Sequence, residues 1–239
     1  MTTRRPARSI LTAVVLAGGS GRRLGPTRRK PLLILGGKLL IARVADTLRP
    51  ICHELVLVVR PGQDDDTPDV GHALRMHVVT DTEPYSGPLA ALHAGLAACV
   101  TPLAFICGVD HPFISRRLVQ AMATQAQSSG AYSPVAVVPR VDGSLHPMHA
   151  ILPAEEWRPI VARALADGQM SPRAVLEDAL ERGYPPVEIM TEDEVETHDP
   201  QMLSLLDVDT PEQLGIARHI LDRHRTSTVR PDIRRGGVS

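Results

Sequence analysis

The chain of 239 residues is long enough for one α/β domain, and 43% hydrophobic and 22% charged residues are typical of a protein that buries a full core. Only 3% of the residues are aromatic, which argues against stacking platforms for single-stranded nucleic acid. A net charge of −1 gives no overall attraction to nucleic acid or to anionic membranes. We therefore expect neither as a partner.

The first residues, "MTTRRPARSILTAVVLAGG", combine a basic start with a short apolar run, as a secretory signal does. No set of extracellular disulfides follows, because Cys52, Cys99 and Cys107 lie far apart in apolar contexts. We expect buried thiols in the reducing cytoplasm and a flexible N-terminus over residues 1–10. No segment approaches the roughly 20 apolar residues that a membrane helix needs.

Apolar, β-branched runs alternate with helix-length patterns from residue 11 onward. The predicted strands are "TAVVLA", "ELVLVV", "RMHVVT", "LAFICGV" and "VAVVP". The predicted helices between them are "LLIARVADTLRPI", "PLAALHAGLAACV" with Pro88 in its first turn, and "SRRLVQAMATQAQ" behind a Ser115 cap. Near-continuous apolar strands separated by helices predict an α/β fold with a doubly wound, mostly parallel sheet and helices on both faces.

The alternation loosens after residue 140. There the pattern predicts a strand in "HPMHAILP", helices in "AEEWRPIVARALADG" and "SPRAVLEDALERG", a short strand in "PVEIM" and a last helix in "TPEQLGIARHILDRH". We expect one domain over residues 11–224 and a disordered basic tail over residues 225–239. The acidic segment "DDDTPD" at 64–69 is predicted to be a solvated loop, with metal binding as the alternative.

Five cations crowd the loop after the first strand. "LAGGSGRRLGPTRRKPLL" contains Arg22, Arg23, Arg28, Arg29 and Lys30. Ligands of parallel sheets gather at the carboxyl ends of the strands, and glycines let backbone N–H groups approach phosphate oxygens. The loop therefore predicts a phosphate-bearing ligand, with an ordinary solvated loop as the alternative.

Two well-known phosphate-binding patterns do not match this loop. The ATPase pattern G-x-x-x-x-G-K-[ST] fails at "GGKLL", residues 36–40, which has the wrong residue after Lys38. The dinucleotide pattern G-x-G-x-x-G begins at Gly19 but meets Leu24 where its third glycine belongs. Arg60 would suit a 2′-phosphate, so the dinucleotide alternative stays open.

The loop instead resembles the signature L-A-G-G-x-x-x-R-[ML]-G…K-x-L of nucleotidyltransferases, most closely the molybdenum cofactor guanylyltransferase family. "DTEPYSGPLAALHAGL", "FICGVDHPFIS", "HPMHAILP" and "LLDVDTPEQL" are similar to later motifs of that family, in the same order. The resemblance spans residues 13 to 215. It implies a cytoplasmic, Mg²⁺-dependent transfer of GMP from GTP to the phosphate of molybdopterin, with pyrophosphate released and molybdoenzyme assembly proteins as further partners.

The resemblance also implies roles for particular side chains. Arg23 and Lys30 are expected to contact the triphosphate and to form the catalytic set with Asp110. Asp110 and Asp209 are the expected Mg²⁺ ligands. The residues expected to lie along the nucleotide are Leu16, Ala17, Gly18, Gly19, Lys30, Asp81 and Asp110.

Each of these assignments has a structural alternative. Asp81 and Asp110 also suit turns, and Asp209 also suits the cap of the last helix. Asp207 competes with Asp209 as a second metal ligand. His146 is expected either to contact the acceptor or to pack.

Departures from the family pattern leave the base and the acceptor open. The family has Asp before the loop lysine, where this chain has Arg29, and Asn where it has Asp209. A basic acceptor segment of the family is represented only by Arg173, and Val59 or Arg60 stands for a second-strand Asn. The alternatives are therefore CTP as donor, another phosphorylated acceptor, or a nucleotide-binding protein without turnover.

A carboxylate at Asp81 accepts the paired N–H donors of guanine, which favours GTP.

Overall fold

The computed structural model describes residues 10–19, 23, 29–62, 66–81, 87–128 and 133–228. Some predictions lie outside these residues: those for residues 1–9, for Arg22 and Arg28 in the loop, and for residues 229–239 of the tail.

Ten strands occur in the described part of the chain: β1 Leu11–Leu16, β2 Ile34–Leu35, β3 Lys38–Leu39, β4 Glu54–Val59, β5 His77–Thr80, β6 Leu103–Gly108, β7 Ala136–Val141, β8 Ser144–Leu145, β9 His149–Pro153 and β10 Val187–Met190. The main sheet has the order β10-β7-β9-β6-β1-β4-β5, with β8 paired to β7. Strands β2 and β3 form a separate hairpin. This sheet confirms the predicted α/β class.

The strands β5, β4, β1 and β6 run parallel, and their pairing fixes where loops meet. Val15 lies opposite Leu57 on one side and Cys107 on the other. All three side chains are fully buried, as strands covered on both faces require. The carboxyl ends of these four strands therefore share one edge. Strand β9 runs antiparallel to β6 with His149 opposite Cys107, so its first residue lies at the same edge.

Eight helices cover the two faces within the same described ranges: α1 Leu40–Leu48, α2 Thr67–Ala73, α3 Pro88–Ala98, α4 Arg116–Ser128, α5 Ala154–Ala166, α6 Pro172–Arg182, α7 Glu192–His198 and α8 Pro211–Thr228. One core contains buried residues of α1 and α4, and a second core on the opposite face contains those of α3, α5 and α6. Among the described residues, no helix is long and apolar enough to cross a membrane.

Helix α3 packs very closely on the centre of the sheet. It is buried on nearly every side, rather than along the single leucine stripe that its sequence suggests. A Cβ at Gly95 would lie 2.2 Å from Cγ1 of Val14 in β1, which only glycine avoids. The close contact fixes the first turn of α3 against the edge where the strands end.

The structure differs from the sequence-based prediction in several short elements. The strand in "HPMHAILP" begins only at His149, because the His149 N–H bonds to the His146 carbonyl and forms a turn around Pro147. Helix α2 begins at Thr67, inside the acidic segment predicted to be a loop. The β2–β3 hairpin and α7 were not predicted, and α8 continues through Thr228, into the segment predicted to be a tail.

Candidate functional site

A cavity of about 850 Å³ lies at the shared carboxyl edge of the parallel strands. It brings together most of the residues singled out from the sequence, although they come from five distant parts of the chain. The expected nucleotide, catalytic and metal residues that line it are Leu16, Ala17, Gly18, Gly19, Lys30, Asp81, Asp110 and Asp209, and Arg60, His146, Arg173 and Asp207 line it as well. Arg23 lies beside it, with Nη1 3.8 Å from Oδ2 of Asp209 and its side chain 79% exposed.

An ionic cluster of Lys30, Asp110 and Asp209 occupies the cavity wall. Lys30 begins a short 3₁₀ turn over Lys30–Leu32 that follows the cationic loop. Its Nζ donates a hydrogen bond to Oδ2 of Asp110 at 2.8 Å and a second one to Oδ1 of Asp209. The Lys30 side chain is only 13% exposed, so this cluster is shielded far more than a surface ion pair.

Asp110 follows the end of β6 and is held in its charged form. Its Oδ1 lies 3.0 Å from Nδ1 of His111. Burial alone raises the pKa of Asp110, but His111 and Lys30 together outweigh it and hold the pKa well below its usual range. The carboxylate is therefore ionised at neutral pH.

Gly108 makes this placement of Asp110 possible, although it was not predicted as a site residue. A Cβ at Gly108 would lie 2.1 Å from Oδ1 of Asp110. Any other residue at the end of β6 would push the carboxylate away. The available signal was a glycine inside a buried apolar strand, which often marks a close approach.

The side chain of Asp209 does not cap helix α8. Thr210 caps α8, since its Oγ1 accepts from the Gln213 N–H at 3.2 Å. The Asp209 carboxylate instead faces Lys30 and Arg23. Asp207 accepts a hydrogen bond from Nε2 of Gln213 at 2.8 Å, so α8 holds it although it also lines the cavity.

The chain segments that follow β1 and β5 form another part of the cavity wall. The Ala17 N–H donates to the Val58 carbonyl at 2.8 Å, and the Asp81 N–H donates to the Val59 carbonyl at 2.9 Å. These bonds fix the chain directly after β1 and β5, beside Gly18. Asp81 is 7% exposed. Gly87, with φ +95°, lets the chain enter α3, whose N-terminus faces the cavity and favours an anion.

Histidines form the third part of the cavity wall. His146 is half-buried, and burial, followed by the charge of Arg173, lowers its pKa. Arg173 itself donates from Nη2 to the Leu145 carbonyl at 2.7 Å. His149 is fully buried, and neither of its ring nitrogens has a hydrogen-bond partner among the described residues. His111 and His149 were not predicted as site residues, because their burial and side-chain contacts cannot be read from the sequence.

A family model and the sequences of curated proteins relate this chain to the same family. A family model described as "MobA-like NTP transferase domain" matches residues 13–183. A molybdenum cofactor guanylyltransferase from Pseudomonas aeruginosa is 31% identical over 218 residues, which cover 90% of this chain and 96% of that protein.

Solved structures share the fold. Molybdopterin-guanine dinucleotide biosynthesis protein A from Archaeoglobus fulgidus has a TM-score of 0.73 at 23% identity, covering 89% of this chain and 99% of that one. 2-C-methyl-D-erythritol 4-phosphate cytidylyltransferase from Thermus thermophilus has a TM-score of 0.60 at 20% identity, covering 89% and 98%. At these identities the likeness concerns the fold alone.

Proposed function

Because the chain belongs to the MobA-like NTP transferase family, we propose that it transfers GMP from GTP to the phosphate of molybdopterin, with release of pyrophosphate. Family membership makes the protein a nucleotidyltransferase, in agreement with the motif resemblance. The observation that carries the proposal is the ionic cluster of Lys30, Asp110 and Asp209 beside a glycine-containing loop at the carboxyl edge of the sheet. The three cysteines are free thiols, which supports a cytoplasmic location.

The reaction needs charge control and alignment more than a protein nucleophile. An oxygen of the acceptor phosphate attacks the α-phosphorus of GTP, and the bond from that phosphorus to the pyrophosphate oxygen breaks. Negative charge builds on the leaving pyrophosphate. We assign its neutralisation to Lys30, as a point charge, and to Arg23, as a planar donor.

Asp110 and Asp209 are the residues that would hold Mg²⁺. Their carboxylate oxygens are the hard ligands this ion prefers, and one cationic group, the Lys30 ammonium, already fits between them. When bound, the ion would neutralise phosphate charge and orient the phosphates. The backbone from Leu16 to Gly19 and the N-terminus of α3 would lie along the nucleotide.

The fold alone is compatible with more than one donor base, and Asp81 distinguishes between them. The structures that share this fold include a cytidylyltransferase as well as a protein of guanine dinucleotide synthesis. A carboxylate accepts hydrogen bonds and cannot donate them, so the buried Asp81 suits the N1–H and 2-amino donors of guanine. Cytosine offers a single exocyclic amine. We therefore assign GTP as the donor.

The first test of this function is the substitution Asp110→Asn. It keeps the shape of the side chain and removes the charge that would hold Mg²⁺, so turnover with GTP, Mg²⁺ and molybdopterin should fall at least about 10²-fold. Pyrophosphate release measures the rate, and circular dichroism checks the fold.

The matched control is Asp207→Asn, which changes a second carboxylate of the same cavity that Gln213 already holds. It should keep near-normal turnover. Equal activity of Asp110→Asn and the natural protein would remove Asp110 from the metal site. Nucleotide binding without pyrophosphate release by the natural protein would favour the non-catalytic alternative.

A further inference from the structure

Each oxygen of the two carboxylates of the proposed metal site lies within 3.8 Å of a nitrogen of a basic side chain. Oδ1 of Asp110 faces His111 at 3.0 Å, and Oδ2 accepts from Lys30 at 2.8 Å. Oδ1 of Asp209 accepts from Lys30, and Oδ2 lies 3.8 Å from Arg23. Lys30 therefore joins the two side chains that would have to share one metal ion.

We propose that Lys30 acts as a stand-in cation, which occupies the place between Asp110 and Asp209 until the phosphates of the nucleotide draw it away. The inference rests on the proposed function for the identity of the metal site. It adds that the same lysine serves two partners in turn: the carboxylates in the free protein and the triphosphate in the complex.

The physical reason is competition for the same oxygens. A divalent cation and an ammonium cannot both lie between two carboxylates, because like charges a few ångströms apart repel strongly where solvent is limited. Lys30 is 13% exposed and the two aspartates are 19% and 26% exposed, so water screens this repulsion poorly. Free metal must therefore displace Lys30 from a shielded double ion pair, and it binds weakly.

A nucleotide removes this obstacle. Its triphosphate offers a larger negative charge than two carboxylates, and a lysine ammonium on a flexible four-carbon stem can change partner without moving the backbone. The Lys30 backbone is fixed by the Leu33 N–H, which donates to the Lys30 carbonyl at 3.1 Å. Metal and nucleotide are then expected to enter together, so the protein does not hold a divalent ion without its substrate.

The test is Mn²⁺ binding to the nucleotide-free protein, followed by electron paramagnetic resonance. Lys30→Met removes the competing charge and keeps an unbranched side chain, so the affinity for Mn²⁺ should rise about tenfold or more. Adding Asp110→Asn to Lys30→Met should abolish the gain. Lys38→Met is the matched control, because Lys38 pairs with Asp46 on the surface and away from the cavity. It should leave Mn²⁺ binding unchanged.

A folded Lys30→Met protein that binds Mn²⁺ no more tightly than the natural protein would overturn the inference. If that variant does not fold, Lys30→Gln removes the charge but keeps a hydrogen-bond donor, and the same increase is expected from it. Lys30→Arg, which keeps the charge, should bind Mn²⁺ as weakly as the natural protein. Turnover of the natural protein with GTP and Mg²⁺ is measured in parallel. Normal turnover without the Mn²⁺ gain defeats only the stand-in role, whereas no turnover defeats the proposed function.

Discussion

At the scale of single residues, we expect the buried side chain of His149 to make the free energy of unfolding depend on pH. Its ring packs edge-on against Phe105, with 4.9 Å between the centroids, and both nitrogens lack hydrogen-bond partners in the described part of the chain. Burial, together with the nearby His111 and His146, holds its pKa well below the ordinary value of 6.5. The folded protein therefore keeps this imidazole neutral.

The consequence is a loss of stability in mild acid. Below pH 6.5 the unfolded chain binds a proton at His149 that the folded protein does not, so the free energy of unfolding falls as the pH falls. The slope should approach about 1.4 kcal/mol per pH unit and continue down to the lowered pKa of the folded state. Urea unfolding at several pH values between 7.5 and 5 measures it.

His149→Phe is the variant that isolates this effect. It keeps the aromatic contact and removes two buried polar atoms, so stability at pH 7.5 should be equal or higher. Unfolding of this variant in mild acid should also take up about one proton fewer, so its stability should depend less on pH. An unchanged slope in this variant would show that other groups cause the acid sensitivity.

Among the structural elements, α3 is the one whose packing most directly supports the site, since its first turn faces the cavity. Gly95→Ala would place a Cβ 2.2 Å from Cγ1 of Val14, a stiff β-branched side chain inside a buried strand. Despite the higher helix propensity of alanine, we expect destabilisation of about 1–3 kcal/mol. Denaturant unfolding measures the change.

Gly215→Ala is the matched control in α8. Gly215 is exposed, and a Cβ there meets nothing within 4 Å. This substitution should stabilise the protein by up to about 1 kcal/mol, because the higher helix propensity of alanine is not opposed by a steric clash. If both substitutions stabilise the protein, α3 does not pack on β1 as closely as the contact between Gly95 and Val14 indicates.

Elements with a strong local pattern were the ones that the sequence predicted well. The buried strands β1, β4 and β6 and the helices behind Ser115, Ser171 and Thr210 have repeated apolar residues and recognisable caps. The antiparallel course of β9 and its start at His149 depend on pairing with distant strands, which no local pattern reports. The seven-residue helices α2 and α7 are too short for a clear periodicity.

The composition of the site was largely predictable, whereas its internal contacts were not. A parallel sheet gathers the ends of β1, β5 and β6 at one edge, so motifs at those ends had to meet. Which group faces which is a matter of side-chain geometry. The bridge from Lys30 to both aspartates, and the glycine that makes room for Asp110, appear only in three dimensions.

Guanylyl transfer is the activity proposed for the protein, and a competition between nucleotides tests it most directly. The natural protein is incubated with equal GTP, CTP and ATP, Mg²⁺ and molybdopterin, and the product dinucleotides are separated and identified. A site built around hydrogen bonds to one base can discriminate about 10⁴-fold, because a wrong base leaves buried groups unpaired. The buried carboxylate of Asp81 predicts incorporation of GMP in large excess. Incorporation of CMP above GMP would contradict the guanylyl assignment and leave only the nucleotidyltransferase family.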